Sequence, residues 1–115
     1  MHYGVIRKLI SHSCDQCGVP ELASEDVTYV SFHDGFDGSL GDAEYINGKG
    51  IIRLCAKSWP SMTQTQQAEL VIHETCHVIA DYKYRHLKKY KPHGKHWQLL
   101  MKCSGIAEPS ACIYI

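Results

Sequence analysis

No stretch of this 115-residue sequence approaches the ~20 consecutive apolar side chains that a bilayer-spanning helix requires. Neither sign of charge is in excess. The 12 Lys+Arg stand against 12 Asp+Glu, which excludes a uniformly basic nucleic-acid coat protein. There is no internal repeat, no low-complexity tract and no Pro- or Ser-rich linker, so repeat arrays and tethered modules are excluded as well. Arg7 and Lys8 interrupt the short apolar stretch at the N-terminus, and no small-residue cleavage site follows, so a secretory signal is not expected. One domain over residues 1–115 is the expectation at this length.

What the sequence has in quantity is histidine, 8 residues, and cysteine, 6 residues. Six cysteines in a small secreted chain would form disulfides. Without a signal peptide they read as reduced thiols in a cytoplasmic protein. Cys14-x-x-Cys17 together with Cys103 and Cys112 is an alternative, a four-thiolate structural site, although the second pair is spaced too widely for a standard knuckle.

The periodicities place the elements. Val5, Ile6, Leu9 and Ile10 give Tyr3 to Ser13 a short amphipathic helix, which Cys14, Cys17, Gly18 and Pro20 should end. Val27 to Phe32, Ala43 to Ile46 and Gly50 to Cys55 read as strands, with Asn47-Gly48 as hairpin chemistry between the last two. The acidic, Gly-rich stretch from Asp34 to Glu44 reads as solvated turns or as a flap over a cleft. Thr63 and Gln66 form a capping box, so a helix should start near Gln64 and run to about Tyr84. A further helix opens around His93 to Lys95 and continues to Lys102, followed by an apolar tail, Cys112 to Ile115. The expected fold class is α+β, a small antiparallel or mixed sheet packed on helices.

His73-Glu74-Thr75-Cys76-His77 is an H-E-x-x-H sequence inside the strongest helix. Residues four apart share a helix face, so both imidazoles can address one ion. With His73 at zero on the wheel, His77 falls at ~40° and Glu74 at ~100°, on the shoulder. Val71, Ile72, Thr75, Val78 and Ile79 fall on the opposite side, which predicts one face for a core and one for a site. A catalytic zinc site usually takes three protein ligands. Asp81, His86, His93 and His96 lie downstream, and spacing alone does not choose among them. Asp81 is too far along the helix to share the ion and reads as a surface charge or as an acceptor behind a ligand. Cys76 lies between faces without an activating partner, so it does not read as a nucleophile.

The run His73 to His77 is followed sixteen residues later by His93-Gly94-x-x-Trp97, and this pairing resembles the SprT-like/Spartan metalloprotease family. The likeness covers roughly Ala43 to Lys102. It implies a zincin-like domain with Zn²⁺ on His73, His77 and His93, and with Glu74 as general base in peptide-bond hydrolysis. Gly94 would let the backbone turn close to the site, and Trp97 would pack behind it. The family's larger members carry a C-terminal zinc ribbon that this sequence lacks, so the chain looks like a minimal catalytic domain of the kind found in phages or small bacterial operons. Strand Gly50 to Cys55 is the expected free edge for an extended protein or peptide substrate.

The zero net charge conceals an asymmetry. Residues 1–80 hold 5 basic and 10 acidic side chains, whereas residues 81–115 hold 7 and 2. Lys83, Arg85, Lys88, Lys89, Lys91 and Lys95 alternate with Tyr82, Tyr84 and Tyr90, a pattern that can grip phosphates and stack on unpaired bases. The family resemblance implies proteins associated with DNA as substrates, so single-stranded DNA is an expected partner, with no membrane. The rival reading is a non-catalytic, zinc-stabilised module that binds nucleic acid or protein. A zinc hydrolase of non-peptide amides is a third. Glu74 favours an enzyme, because a purely structural site has no use for a general base.

Overall fold

The computed structural model describes residues 1–107 and 109. Its elements are helix α1 (Tyr3–Gln16), strands β1 (Thr28–His33), β2 (Gly41–Ile46) and β3 (Lys49–Cys55), and helices α2 (Gln64–Tyr84) and α3 (Lys95–Cys103). Cys112 and the apolar tail to Ile115 lie outside the described residues.

Local chemistry sets the ends of these elements. α1 runs past Cys14 and stops at Gly18, whose φ of +76° suits a residue without a Cβ. There Val19 N donates to Cys14 O at 2.8 Å and Gly18 N to Asp15 O at 3.2 Å, the paired bonds of a Schellman ending. β2 and β3 are joined through Asn47 and Gly48, both at positive φ (53° and 79°), as a tight hairpin turn requires. α2 opens on the expected capping box: Gln66 N donates to Thr63 Oγ1 at 3.1 Å, and Thr63 N donates to Gln66 Oε1 at 2.8 Å.

The fold is α+β with a mixed sheet in the order β1-β3-β2. β3 pairs parallel with β1 and antiparallel with β2. This corrects one expectation. Gly50 to Cys55 is the central strand, paired on both sides, and offers no free edge to a substrate. The edge that faces α2 is β2, because residues 34–40 carry the chain from the end of β1 across to the far side of β3.

The core face and the site face expected of α2 are both largely covered: Leu70, Val71, Ile72, His73, Glu74, Thr75, Cys76, Val78, Ile79 and Ala80 are all buried. Strand β2 covers one side of it while α1 and α3 cover others, so the helix forms the axis of the core. Ile6 and Ile10 of α1, Ile52 and Leu54 of β3, and Trp97 and Met101 of α3 complete that core. Each fully buried aliphatic side chain contributes roughly 1.5–3 kcal/mol. Sheet and helix approach so closely at Gly50 that an added Cβ would lie 2.7 Å from Val78 Cγ1 and from Thr28 Oγ1.

Of the cysteines, Cys14, Cys17, Cys55 and Cys76 are buried and Cys103 is exposed, all as free thiols. Cys76 sits against Ser104 Oγ at 3.6 Å. A hydrogen bond with Cys17 and burial push its pKa well up, so it is no thiolate nucleophile.

Candidate metal centre

α2 carries His73 and His77 one turn apart, and its rigidity fixes their relative position. The chain then reverses through a series of turns, closed by Leu87 N to Tyr84 O, Tyr90 N to Leu87 O and Gly94 N to Lys91 O, and returns with His93. The three Nε2 atoms converge: His77 to His93 is 2.9 Å, His77 to His73 is 3.3 Å and His93 to His73 is 3.4 Å. His86 lies exposed in the turns, and His96 packs against Tyr84 with ring centres 4.5 Å apart, so neither joins this cluster.

Trp97 is the floor of the cluster. It is buried, its ring lies 4.8 Å from that of His73, 4.9 Å from His93 and 5.4 Å from His77, and its Nε1 donates to His73 O at 3.3 Å. Gly94 caps α3 with φ of −79°, so its role is space rather than handedness. An added Cβ there would lie 3.2 Å from Lys91 O.

Burial holds His73 and His77 neutral, and partial desolvation acts the same way on the more exposed His93. Desolvation, then the charge of His93, lowers His73 to about 4; desolvation, then His73 and His93, lowers His77 to about 3; burial also lowers His93. Neutral rings keep a lone pair for a metal at neutral pH. Tetrahedral zinc with Zn–N of ~2.0–2.1 Å separates its ligand nitrogens by ~3.3 Å, and the spacing seen here fits that set. Among the described residues, the buried His73 Nδ1 has no hydrogen-bond partner.

A cleft of about 430 Å³ opens over the cluster, walled by Gly38 to Ala43 on one side and by Pro92 and His93 on the other, with Leu70 and Glu74 in its base. The Gly-rich stretch, left open between turns and flap by its sequence, is thus a wall of the cleft. Glu74 is 3% exposed, and burial, with Asp42 adding to it, raises its pKa to about 8. Gly41 passes so close that a Cβ would lie 3.2 Å from Glu74 Oε2 and 2.8 Å from Arg53 O. On the outer face of the sheet Asp42 is held by a two-pronged pair with Arg53.

Asp81 lies outside the cluster. Its Oδ1 accepts from the Tyr90 hydroxyl at 3.1 Å and its Oδ2 from Tyr45 N at 3.3 Å. Arg85 Nη1 donates to Tyr45 O at 3.3 Å, so α2 and the residue that caps its C-terminus hold both backbone groups of that β2 residue. Leu40 O takes Cys55 N at 2.9 Å, and the antiparallel alternation then turns Gly41, Ala43 and Tyr45 towards the free edge. The sequence held no local signal for these contacts, which join residues far apart in the chain.

The basic residues divide. Lys83 reaches Cys17 O at 3.4 Å, and Arg85 turns to β2. Lys88, Lys89, Lys91 and Lys95 are exposed, beside the cleft wall formed by Pro92 and His93. The four-thiolate alternative needs Cys112, outside the described residues, and pairs buried Cys14 and Cys17 with exposed Cys103. Among the described residues no helix is long and apolar enough to cross a membrane.

Neither a search of curated proteins nor one of solved structures returns a match. The profile of the SprT-like family, in contrast, matches residues 18–113, a span that includes both strands of the hairpin, the H-E-x-x-H helix and the returning histidine. The chain belongs to the SprT-like family.

Proposed function

We propose that the protein is a zinc metallopeptidase in which His73, His77 and His93 hold the metal and Glu74 is the general base. The observation that carries this reading is the convergence of three neutral imidazoles, all Nε2 atoms within 3.4 Å, in the same cleft as a buried carboxyl. Zn²⁺, when bound, supplies Lewis acidity towards water and a carbonyl oxygen, together with positive charge that favours the ionised form of Glu74.

Glu74 takes a proton from water and later delivers it to the leaving amine. A carboxyl whose proton affinity is raised towards neutrality serves both halves of that exchange. Ala43, on the free edge of β2 beside the cleft, offers backbone groups with which an extended peptide can pair, and Gly41 leaves room for the Glu74 carboxyl. Trp97 excludes water from beneath the imidazoles.

The exposed Lys88, Lys89, Lys91 and Lys95 next to the cleft support single-stranded DNA as a partner that would bring DNA-associated protein substrates to the site. Lys83 and Arg85, each spent on a backbone carbonyl, contribute less to that surface.

The test is Glu74→Gln. This variant should keep its zinc and lose roughly 10²–10⁴-fold in peptide hydrolysis. Hydrolysis at the wild-type rate by the zinc-loaded variant would overturn the mechanism.

A further inference from the structure

The two helix-borne imidazoles are placed by α2 itself, but His93 arrives on a segment that belongs to no helix or strand. Something must hold that segment in register with α2. On its C-terminal side Gln98 Nε2 donates to His93 O at 3.2 Å, and Trp97 packs beneath the ring. On its N-terminal side the tie is Tyr90, half-buried, whose hydroxyl donates to Asp81 Oδ1 at 3.1 Å. Asp81 stands four residues beyond His77 on the same row of α2. Its second oxygen holds Tyr45 N, on the strand whose other end walls the cleft.

We propose that Asp81 is a positioning residue of the metal centre: one carboxylate fixes both the segment that delivers His93 and the β2 wall of the cleft to the helix that carries His73 and His77. This rests on the reading of the three histidines as metal ligands. The charge of Asp81 also bears on Tyr90, whose pKa burial first and then Asp81 raise to about 12, so the phenol stays a donor over the working range. Removing Asp81 leaves the Tyr90 hydroxyl and the Tyr45 N–H without their acceptor and frees the His93 segment. Partners hydrogen-bonded directly to a ligand change metal affinity ~10–100-fold, and a tie that acts through Tyr90 falls at the low end of that range.

The experiment measures Zn²⁺ affinity by chelator competition, the Co²⁺ absorption spectrum, and the Tm of the metal-free protein, for wild type, Asp81→Ala, Asp81→Asn and Tyr90→Phe. Asp81→Ala is expected to weaken Zn²⁺ binding ~10-fold and to alter the Co²⁺ spectrum. Asp81→Asn, which keeps an acceptor oxygen, should recover part of the loss. Tyr90→Phe should reproduce the effect on its own, which keeps the test decisive if Asp81→Ala folds poorly. Affinity and spectrum within twofold of wild type in Asp81→Ala or Tyr90→Phe, whatever the change in Tm, would overturn the proposal and leave the metal centre standing. Wild-type Zn²⁺ binding no tighter than that of His93→Ala would instead overturn the metal centre, and the proposal with it.

Discussion

Gly41 is the residue at which a single methyl group would be felt by the chemistry. A side chain there meets the Arg53 carbonyl at 2.8 Å, which is backbone and cannot swing away, and the Glu74 carboxyl at 3.2 Å. Gly41→Ala is therefore expected to leave Zn²⁺ affinity close to wild type while lowering kcat/KM, by up to about 10²-fold if the general base is displaced by an ångström. Parallel measurement of metal affinity and turnover checks it. At this scale the sequence was informative where function needs residue types at fixed spacing. His73, Glu74 and His77 could be singled out because a helix places i and i+4 on one face. His93 could be separated from His86 and His96 only through the resemblance, since a chain reversal between two helices has no periodicity to read. Asp81 is legible as a polar position on the helix, but its donors Tyr45 and Tyr90 are not, because a carboxylate's partners depend on which elements pack beside it.

The helices and the hairpin were legible because their ends are set locally. The Thr63–Gln66 box and the Asn47-Gly48 turn each satisfy backbone groups within a few residues, so neither depends on the rest of the chain. Which strand lies in the middle of the sheet is decided by the pairing of β1 with β3 across residues 34–48, and nothing in β3 itself declares it. The burial of His73 and Glu74 was hidden for a related reason, since both count as polar on any wheel and nothing in α2 itself shows that residues 38–43 wall the cleft beside them. Packing of α1 against α2 gives a prediction in pH. Burial, then Cys17 and Asp15, raises the Cys14 thiol from 9.0 to about 12. The folded state thus keeps a proton that the unfolded chain gives up above pH 9, so this contribution is complete below pH 9 and is lost as the pH rises towards 12. Urea midpoints at pH 8 and pH 10, compared between wild type and Cys14→Ala, should show the steeper alkaline decline in wild type.

Over the whole molecule the charge balance of zero is a sum of unlike parts, and the exposed Lys88, Lys89, Lys91 and Lys95 flank the cleft-lining Pro92 and His93 in the chain. If single-stranded DNA is held there, replacing Lys88, Lys89 and Lys91 by Ala should flatten the plot of log affinity against log salt by about 2, at ~0.7 for each phosphate no longer neutralised. Fluorescence anisotropy with an oligonucleotide over a salt series measures this, and an unchanged slope would remove these side chains from the interface. The grip of Asp81 and Arg85 on Tyr45 matters at the same scale, for how copies of the chain meet one another. An arriving strand can zip along Gly41 and Ala43 and is then stopped, because the next pair of backbone groups is already taken. On the β2 side, the rim proposed to receive a substrate is thereby too short to template a second copy of the chain along that edge.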